Sequence, residues 1–212
     1  MDYIKFAKKY FDKAAKGRAS AGRDGKYDKM LKRSLELRAL RSRSMRKIGI
    51  TAEDAEAGPF CFEGYCYDNE QVRQAVGKDG KLRSERYQST WLYFAKKHIY
   101  VYTYVFSTTN TAVVEDTREL LYNNISDFTT HSESVQLVTK KGKNESTQKQ
   151  FFSFEQPSGK FVCWTQGPMD DSVLQIRRKI LEKQNEKKET DSTLTMRVRT
   201  TEPQCPFCKE QN

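Results

Sequence analysis

The spacing of apolar residues changes from helical to strand-like along this chain, and that change limits the folds open to it. Residues 2–16 carry apolar side chains on one side and lysines on the other, at the α-helical spacing of about 100° per residue. Residues 27–48 repeat the pattern. From Arg86 onward, short runs rich in aromatic and β-branched residues alternate with turn signals. The sequence therefore predicts an α+β fold, with a basic helical hairpin over 1–50 before an antiparallel β-domain over 86–187.

The β-domain contains several strand candidates in quick succession. The runs 91–94 and 98–106 are separated by Lys96 and Lys97, which predicts a hairpin with these two lysines at its turn. The remaining strand candidates are 119–122, 125–130, 135–139, 150–155 and 160–165. A helix beginning at Asp170 follows them and is predicted to cap the domain. Short strands at this spacing favour a small β-sandwich or a partly open barrel.

Two further segments complete the predicted organisation. Residues 51–85 are predicted to hold a short helix capped by Thr51, a β-hairpin over 60–67 that carries two cysteines, and a loop. Residues 188–212 are predicted to be a polar linker and a tail with a CxxC motif.

The positive charge is concentrated at the start of the chain. The net charge is +10, from 38 Lys and Arg against 28 Asp and Glu. Residues 1–50 hold 16 basic against 5 acidic residues, a net of +11, whereas residues 51–212 hold 22 against 23, a net of −1. Such a segment favours an anionic partner, unless it is simply a solvated helical face. The candidate contacts are Lys5, Lys8, Lys9, Lys13, Lys32, Arg33, Arg38, Arg41, Arg43, Arg46 and Lys47.

Three kinds of anionic partner fit this basic hairpin. Nucleic acid would be bound through phosphates, with little sequence selectivity and a steep dependence on salt. An anionic membrane would receive helix 2–16 as an interfacial helix, with Phe6, Tyr10 and Phe11 inserted. An acidic protein surface is the third. In the alternative, the hairpin packs on the β-domain as structure, and these aromatic side chains are buried.

Three stretches of the β-domain resemble the pleckstrin-homology (PH)/GRAM superfamily. The run WLYFAKKHIYV over 91–101 is similar to its opening hairpin, and LYNNISDF over 121–128 resembles its third strand. Residues 151–164, followed by the helix from Asp170, resemble its closing hairpin and capping helix. The resemblance covers 86–187, about half of the chain.

This resemblance implies a non-catalytic recognition platform for lipid headgroups, peptides or other proteins. Members of the family that bind phosphoinositides carry several Lys and Arg on the first hairpin. In this chain only Lys96 and Lys97 stand at that turn.

Four cysteines form two pairs that are candidates for a structural zinc site. Cys205 and Cys208 enclose Pro206 and Phe207, which is the form of half a zinc ribbon. In a hairpin turning at residues 63 and 64, Cys61 and Cys66 would lie opposite each other and supply the other half. Four thiolates would leave no open coordination position, so such a zinc ion would be structural.

Other interpretations of the cysteines remain open. The two pairs can be unrelated and hold no metal, and the pair in the hairpin can form a disulfide. The CxxC tail can also share a metal with another chain or be redox-active. Cys163 lies in a strand pattern and is interpreted as a core thiol.

Catalysis is not expected from this sequence. Its two histidines, His98 and His131, have no catalytic motif around them. Glycine-rich phosphate loops and the common hydrolase, metalloprotease and EF-hand motifs do not occur. With neither an apolar membrane-spanning run nor a secretory signal, the expected location is the cytoplasm. The sequence thus favours a non-catalytic binding module, with a sequence-nonspecific nucleic-acid-binding protein as the alternative.

Overall fold

The computed structural model describes residues 2–67, 72–138, 144–157, 159–166 and 170–199. The described residues form four α-helices and nine β-strands, so the predicted α+β class is confirmed. The helices are α1 (Tyr3–Ala15), α2 (Ala21–Glu36), α3 (Leu40–Ile48) and α4 (Asp170–Arg199). The strands are β1 (Ala57–Tyr65), β2 (Gln74–Val76), β3 (Leu82–Ser84), β4 (Arg86–Phe94), β5 (His98–Ser107), β6 (Val113–Leu121), β7 (Asp127–Val138), β8 (Asn144–Gln156) and β9 (Gly159–Thr165).

The strands form three antiparallel sheets that do not close into a barrel. The largest has the order β1-β4-β5-β6, the second is β7-β8-β9, and β2 and β3 form a small hairpin. The hairpin predicted around Lys96 and Lys97 is confirmed as the β4–β5 connection, with Phe94 paired to Ile99. The short helix predicted after Thr51 is also present, because Thr51 and Asp54 form a reciprocal capping box around residues 52–54.

The basic segment consists of three helices instead of the predicted hairpin of two. The continuous second helix is wrong, because the chain leaves helical geometry between α2 and α3 and Ala39 adopts a φ of +45°. At this break the Arg38 guanidinium turns back to Ser34 and lies over the Phe106 ring, with 4.1 Å between Cζ and the centroid. The helix therefore breaks at the point where Arg38 packs on β5.

The predicted β-hairpin over 60–67 is also wrong, since these residues lie on and just after the single strand β1. Gly64 is needed for a close approach instead of a turn. A Cβ atom added there would lie 2.6 Å from the backbone nitrogen of Thr165 on β9. The Gln166 N–H next to it donates to the Glu63 carbonyl at 3.0 Å. Glycine thus lets β1 of the first sheet contact β9 of the other.

A layer of aromatic side chains joins the helices to the first sheet. Tyr10 of α1 stacks on Tyr27 of α2, with ring centroids 4.5 Å apart, and Phe11 meets Tyr27 edge-on. These rings belong to one buried cluster with side chains from the sheet, including Tyr102 and Phe106. Burial of this apolar area is the main favourable contribution to docking of the helices.

Helix α4 lies almost wholly in a second compact unit, which begins at Ser172. The helix starts with Asp170 and Asp171, which suit the positive end of the helix dipole. It continues to Arg199, so the linker predicted from residue 188 is helical up to that point. Among the described residues, no helix combines the length and apolarity needed to cross a membrane.

Candidate anion-binding surface

Helix α1 turns its apolar face to the protein and its lysines to solvent. Tyr10 and Phe11 are each 3% exposed, and Ala7 is fully buried. Lys5, Lys8 and Lys9 are exposed. Insertion of Phe6, Tyr10 and Phe11 into a membrane is therefore a wrong prediction: Tyr10 and Phe11 are in the core, and Phe6 packs against it.

An ionic clamp fixes α2 to the β2–β3 hairpin. The Arg83 side chain is only 1% exposed, and it donates to both carboxylate oxygens of Asp28 at 2.8 Å. The same guanidinium binds both oxygens of Asp79 at 2.9 and 2.8 Å. Two carboxylates thus neutralise one buried cation, so Arg83 is not available to an anionic ligand.

Buried polar contacts also hold α1 to α2, and α2 to the β2–β3 hairpin. Asp24 is 2% exposed and accepts hydrogen bonds from the Tyr10 hydroxyl at 3.0 Å and the Lys78 backbone N–H at 2.6 Å. The Tyr27 hydroxyl donates to the Ser84 carbonyl at 3.2 Å. Two of the five acidic residues of the helical segment, Asp24 and Asp28, therefore point to the protein and do little to offset the lysines outside.

Helix α3 is held to β6 by an ion pair at its centre. Arg43 donates to both oxygens of Glu115 at 2.8 and 2.7 Å, and Lys47 lies 3.7 Å from the same carboxylate. The Tyr102 hydroxyl donates to Glu115 as well, at 2.7 Å. The hydrogen bonds from Arg43 dominate the environment of this carboxyl and lower the pKa of Glu115 to about 2. Glu115 therefore stays ionised and anchors the helix.

Three of the cations predicted to contact an anionic partner have partners within the protein. Arg38 lies over Phe106, while Arg43 and Lys47 pair with Glu115, although the Lys47 side chain stays 54% exposed. The other exposed cations of this set are Lys5, Lys8, Lys9, Lys32, Arg33, Arg41 and Arg46. Lys13 is partly buried.

Four cations converge where α1 passes into α2, and we call Lys9, Lys13, Arg18 and Arg23 the basic cluster. The pKa of the Lys13 ammonium is lowered, first by the charge of Arg23, then by desolvation and by the charges of Lys9 and Arg18. Arg23 is held in place by a hydrogen bond to the Arg18 carbonyl. The positive charges of these four side chains repel one another, and a bound anion would reduce that repulsion.

Sequence reasoning found Lys9 and Lys13 but missed Arg18 and Arg23. The apolar spacing predicts helices over 2–16 and 27–48, whereas α2 already begins at Ala21. Ser20 in the N-cap position was the available signal for that earlier start. With the helix placed there, Arg23 falls in its first turn and faces back toward the end of α1.

The other predicted site residues are not brought to this surface as a group. Lys96 and Lys97 are exposed at the β4–β5 turn. They are the cations at the position that the PH resemblance singles out.

The first cysteine pair does not form the predicted half of a zinc site. Cys61 lies on β1 opposite Trp91, while the Cys66 backbone N–H donates to the Arg86 carbonyl at the far end of the same strand pair. Cys66 lies five positions along the extended chain from Cys61, a distance of roughly 16 Å, which excludes a shared ion or a disulfide. In the part of the chain described, no group of three or more metal-ligating side chains is found.

The remaining cysteines have two different outcomes. Cys205 and Cys208 lie outside the described residues, so zinc binding by the CxxC tail stays a prediction. Cys163 is fully buried, as expected for a core thiol. Burial raises the pKa of its thiol well above the ordinary value.

A cavity of about 300 Å³ lies beside the Arg83 clamp. Its lining includes Tyr67, Lys81 and Gln166. Since both carboxylates of the clamp already bind Arg83, the cavity offers few free charges, and the outer helical surface is the stronger candidate site for an anion.

Comparison of this chain with family models, curated proteins and solved structures finds no match.

Proposed function

We propose that this protein is a non-catalytic binding module in which the exposed cations of the helical layer bind an anionic partner, while a PH-like β-domain recognises a protein or lipid surface. The observation that carries the proposal is the basic cluster, in which the Arg23 guanidinium donates to the Arg18 carbonyl and the Arg18 N–H donates to the Lys13 carbonyl at 2.9 Å. The charges of Arg23, Lys9 and Arg18 accordingly lower the pKa of Lys13. An anion that binds here neutralises cations that repel one another, which lowers the free energy of the complex.

The order of the elements supports the PH-like part of the proposal. The strands β1, β4, β5 and β6 form one antiparallel meander, β7, β8 and β9 form a second, and α4 follows directly. Within 86–187, the range of the PH resemblance, the six strands β4 to β9 are followed by α4, and β4–β5 is the opening hairpin. Strand β1 precedes this range and pairs with β4.

The attachment of the helices supports a fixed binding surface instead of a flexible basic tail. Arg83 holds α2 at Asp28, and Glu115 holds α3 at Arg43. Lysine and arginine side chains on anchored helices lose less backbone entropy on binding than those of a disordered segment. The affinity is expected to be electrostatic and therefore to fall with salt.

Nucleic acid is the second candidate partner, and the burial of Tyr10 and Phe11 favours it. With these rings in the core, α1 presents cations without the apolar side chains that an interfacial helix inserts. Phosphate contacts from Lys and Arg need no insertion.

A titration with two probes tests the proposal. Full-length protein is titrated with a labelled mixed-sequence duplex and with vesicles of phosphatidylserine and phosphatidylcholine, at about 50 mM and about 200 mM salt. The test variant reverses two charges of the basic cluster, R18E with R23E. The matched control reverses two exposed charges at the β2–β3 turn, K78E with K81E.

The two variants give opposite expectations. Binding of one probe should weaken at least tenfold in the cluster variant and at higher salt, and the probe affected identifies the class of partner. The control should bind as the wild type does. Absence of binding to both probes, or equal losses in both variants, would contradict an anion-binding helical surface.

A further inference from the structure

Strand β6 forms the exposed edge of the four-stranded sheet. It is last in the order β1-β4-β5-β6, so within the described chain its outer side has no strand partner. Three large apolar side chains on it are exposed: Val113 at 46%, Val114 at 57% and Leu121 at 50%. An edge with apolar residues at both ends is suited to pairing with another strand.

The hydrogen bonds to β5 determine which backbone groups of β6 face outward. The Ser107 N–H donates to the carbonyl of Ala112, the residue opposite it, at 3.0 Å. Because hydrogen-bonded pairs alternate in an antiparallel ladder, the even-numbered residues of β6 bond to β5. The odd-numbered residues, with Thr117 in the middle, direct their N–H and C=O groups to the outer edge.

We propose that β6 pairs in antiparallel fashion with β6 of a second copy of this chain, with Thr117 opposite Thr117 across a two-fold axis. The outward-facing odd residues then supply the hydrogen-bonded pairs that such a ladder needs. The resulting contacts are Val113 with Leu121, Val114 with Leu120, Glu115 with Glu119, and Asp116 with Arg118, each occurring twice.

Charge complementarity selects this register. In it Asp116 of each copy faces Arg118 of the other at the closely spaced, non-hydrogen-bonded positions. Sliding the strands by two residues one way places Asp116 opposite itself. Sliding them by two residues the other way places Arg118 opposite itself. Both slips put like charges in contact, so the centred register is the favoured one.

The Glu115 and Glu119 pair, which also occurs twice, is the like-charge contact of this register, and Arg43 and Lys47 of α3 offset it. Glu115 is already neutralised by Arg43, and Lys47 lies 3.7 Å from it with a side chain that is 54% exposed. Glu119 of the second copy would approach on the same face, which would place Lys47 near both carboxylates. The interface would therefore join the two four-stranded sheets into one of eight strands.

The experiment measures the molar mass of the full chain by sedimentation over increasing concentration. Wild type is expected to form a dimer. Thr117→Pro removes the central outward-facing N–H. Proline is tolerated at such a position of an edge strand, so this variant is expected to fold and to be monomeric. Thermal unfolding of this variant shows whether it remains folded.

A charge exchange tests the register. Asp116→Arg alone makes two repulsive pairs between the copies and removes the 2.8 Å ion pair with Arg118 of its own strand, and should weaken dimerisation about tenfold or more. Thermal unfolding of this variant checks that the fold is kept. Combining Asp116→Arg with Arg118→Asp restores both pairs and should restore the dimer. A monomeric wild type, or a dimer that Thr117→Pro leaves intact, would overturn the proposal, while the anion-binding proposal would be unaffected.

Discussion

The guanidinium of Arg83 on β3 and the carboxylate of Asp28 on α2 share two hydrogen bonds of 2.8 Å across 55 residues of sequence. Arg83 is buried, whereas 46% of the Asp28 side chain is exposed. Of the three charged groups in the clamp, only Arg83 is desolvated, so removing Arg83 and removing one carboxylate have different consequences.

Replacing Arg83 with methionine is expected to lower the free energy of unfolding by about 2 kcal/mol or more, because the paired charge is lost and the Asp28 and Asp79 carboxylates repel each other. Denaturant unfolding measures the change. Lys81→Met, an exposed neighbour, is the control and should alter stability by less than about 0.5 kcal/mol. Equal stability of the two variants would contradict a structural role for the clamp.

The ion pair of Glu115 predicts a specific loss of stability in acid. The folded-state pKa of Glu115 is lowered to about 2, so its stabilisation is complete above the unfolded-state pKa of about 4.3 and is lost as pH falls toward 2. The stability difference between wild type and Glu115→Gln should therefore be constant near neutral pH and shrink below about pH 4.3. Urea unfolding at several pH values measures it, and a difference that persists at pH 2 would contradict the assignment.

Two glycines predict opposite effects of the same substitution. Gly64→Ala would place a Cβ 2.6 Å from the Thr165 nitrogen, and should destabilise the protein by about 1 to 3 kcal/mol. Gly25 lies inside α2 with open space around it, so Gly25→Ala should stabilise by about 0.5 to 1 kcal/mol. Thermal unfolding of both variants checks the pair. A neutral Gly64→Ala would mean that β1 and β9 are not in close contact.

The basic cluster predicts a measurable titration. Since Arg23 is the first cause of the lowered pKa of Lys13, Arg23→Gln should raise that pKa toward the ordinary value of about 10.4. NMR titration of the Lys13 side chain follows the change, with Lys32→Gln as a control that keeps the same net charge. If both variants shift Lys13 equally, the effect comes from overall charge and the cluster has no special proximity.

Burial of Phe11 predicts that membrane binding, where it occurs, does not depend on this ring. Phe11→Leu keeps an apolar side chain in the core and should cost about 1 kcal/mol of stability. Its affinity for phosphatidylserine vesicles should equal that of wild type. A tenfold loss of vesicle affinity in a folded Phe11→Leu protein would support insertion and contradict the docked position of α1.

The local signals in the sequence were sufficient for some elements and misleading for others. Thr51 and Asp54 are three residues apart, so their capping box is visible in a short window. The sequence also contains Gly64 in a plausible turn, but its role depends on Thr165, about a hundred residues later. No local pattern can report such a contact, and the cysteine pairing built on that turn was wrong with it.

The candidate site was predictable in part for the same reason. The excess of cations is a property of composition, and the lysines of α1 follow from helical periodicity. That Arg43 is engaged depends on Glu115, which is 72 residues away, and the proximity of Arg18 and Arg23 to Lys13 depends on the turn between two helices. The number of cations could therefore be predicted from the sequence, whereas which of them are free to bind a partner could not.

The anchors of the helical layer also have a consequence during synthesis. The partners of Asp28, Tyr27 and Arg43 are synthesised later. They are Arg83, Thr108 and Glu115, at separations of 55, 81 and 72 residues. The helices leave the ribosome first, but their docking partners follow only after much of the first sheet has been translated. During that interval the apolar face of α1 is unsatisfied while its lysines are already exposed, so the nascent chain is a cationic amphipathic segment before it is part of a folded domain.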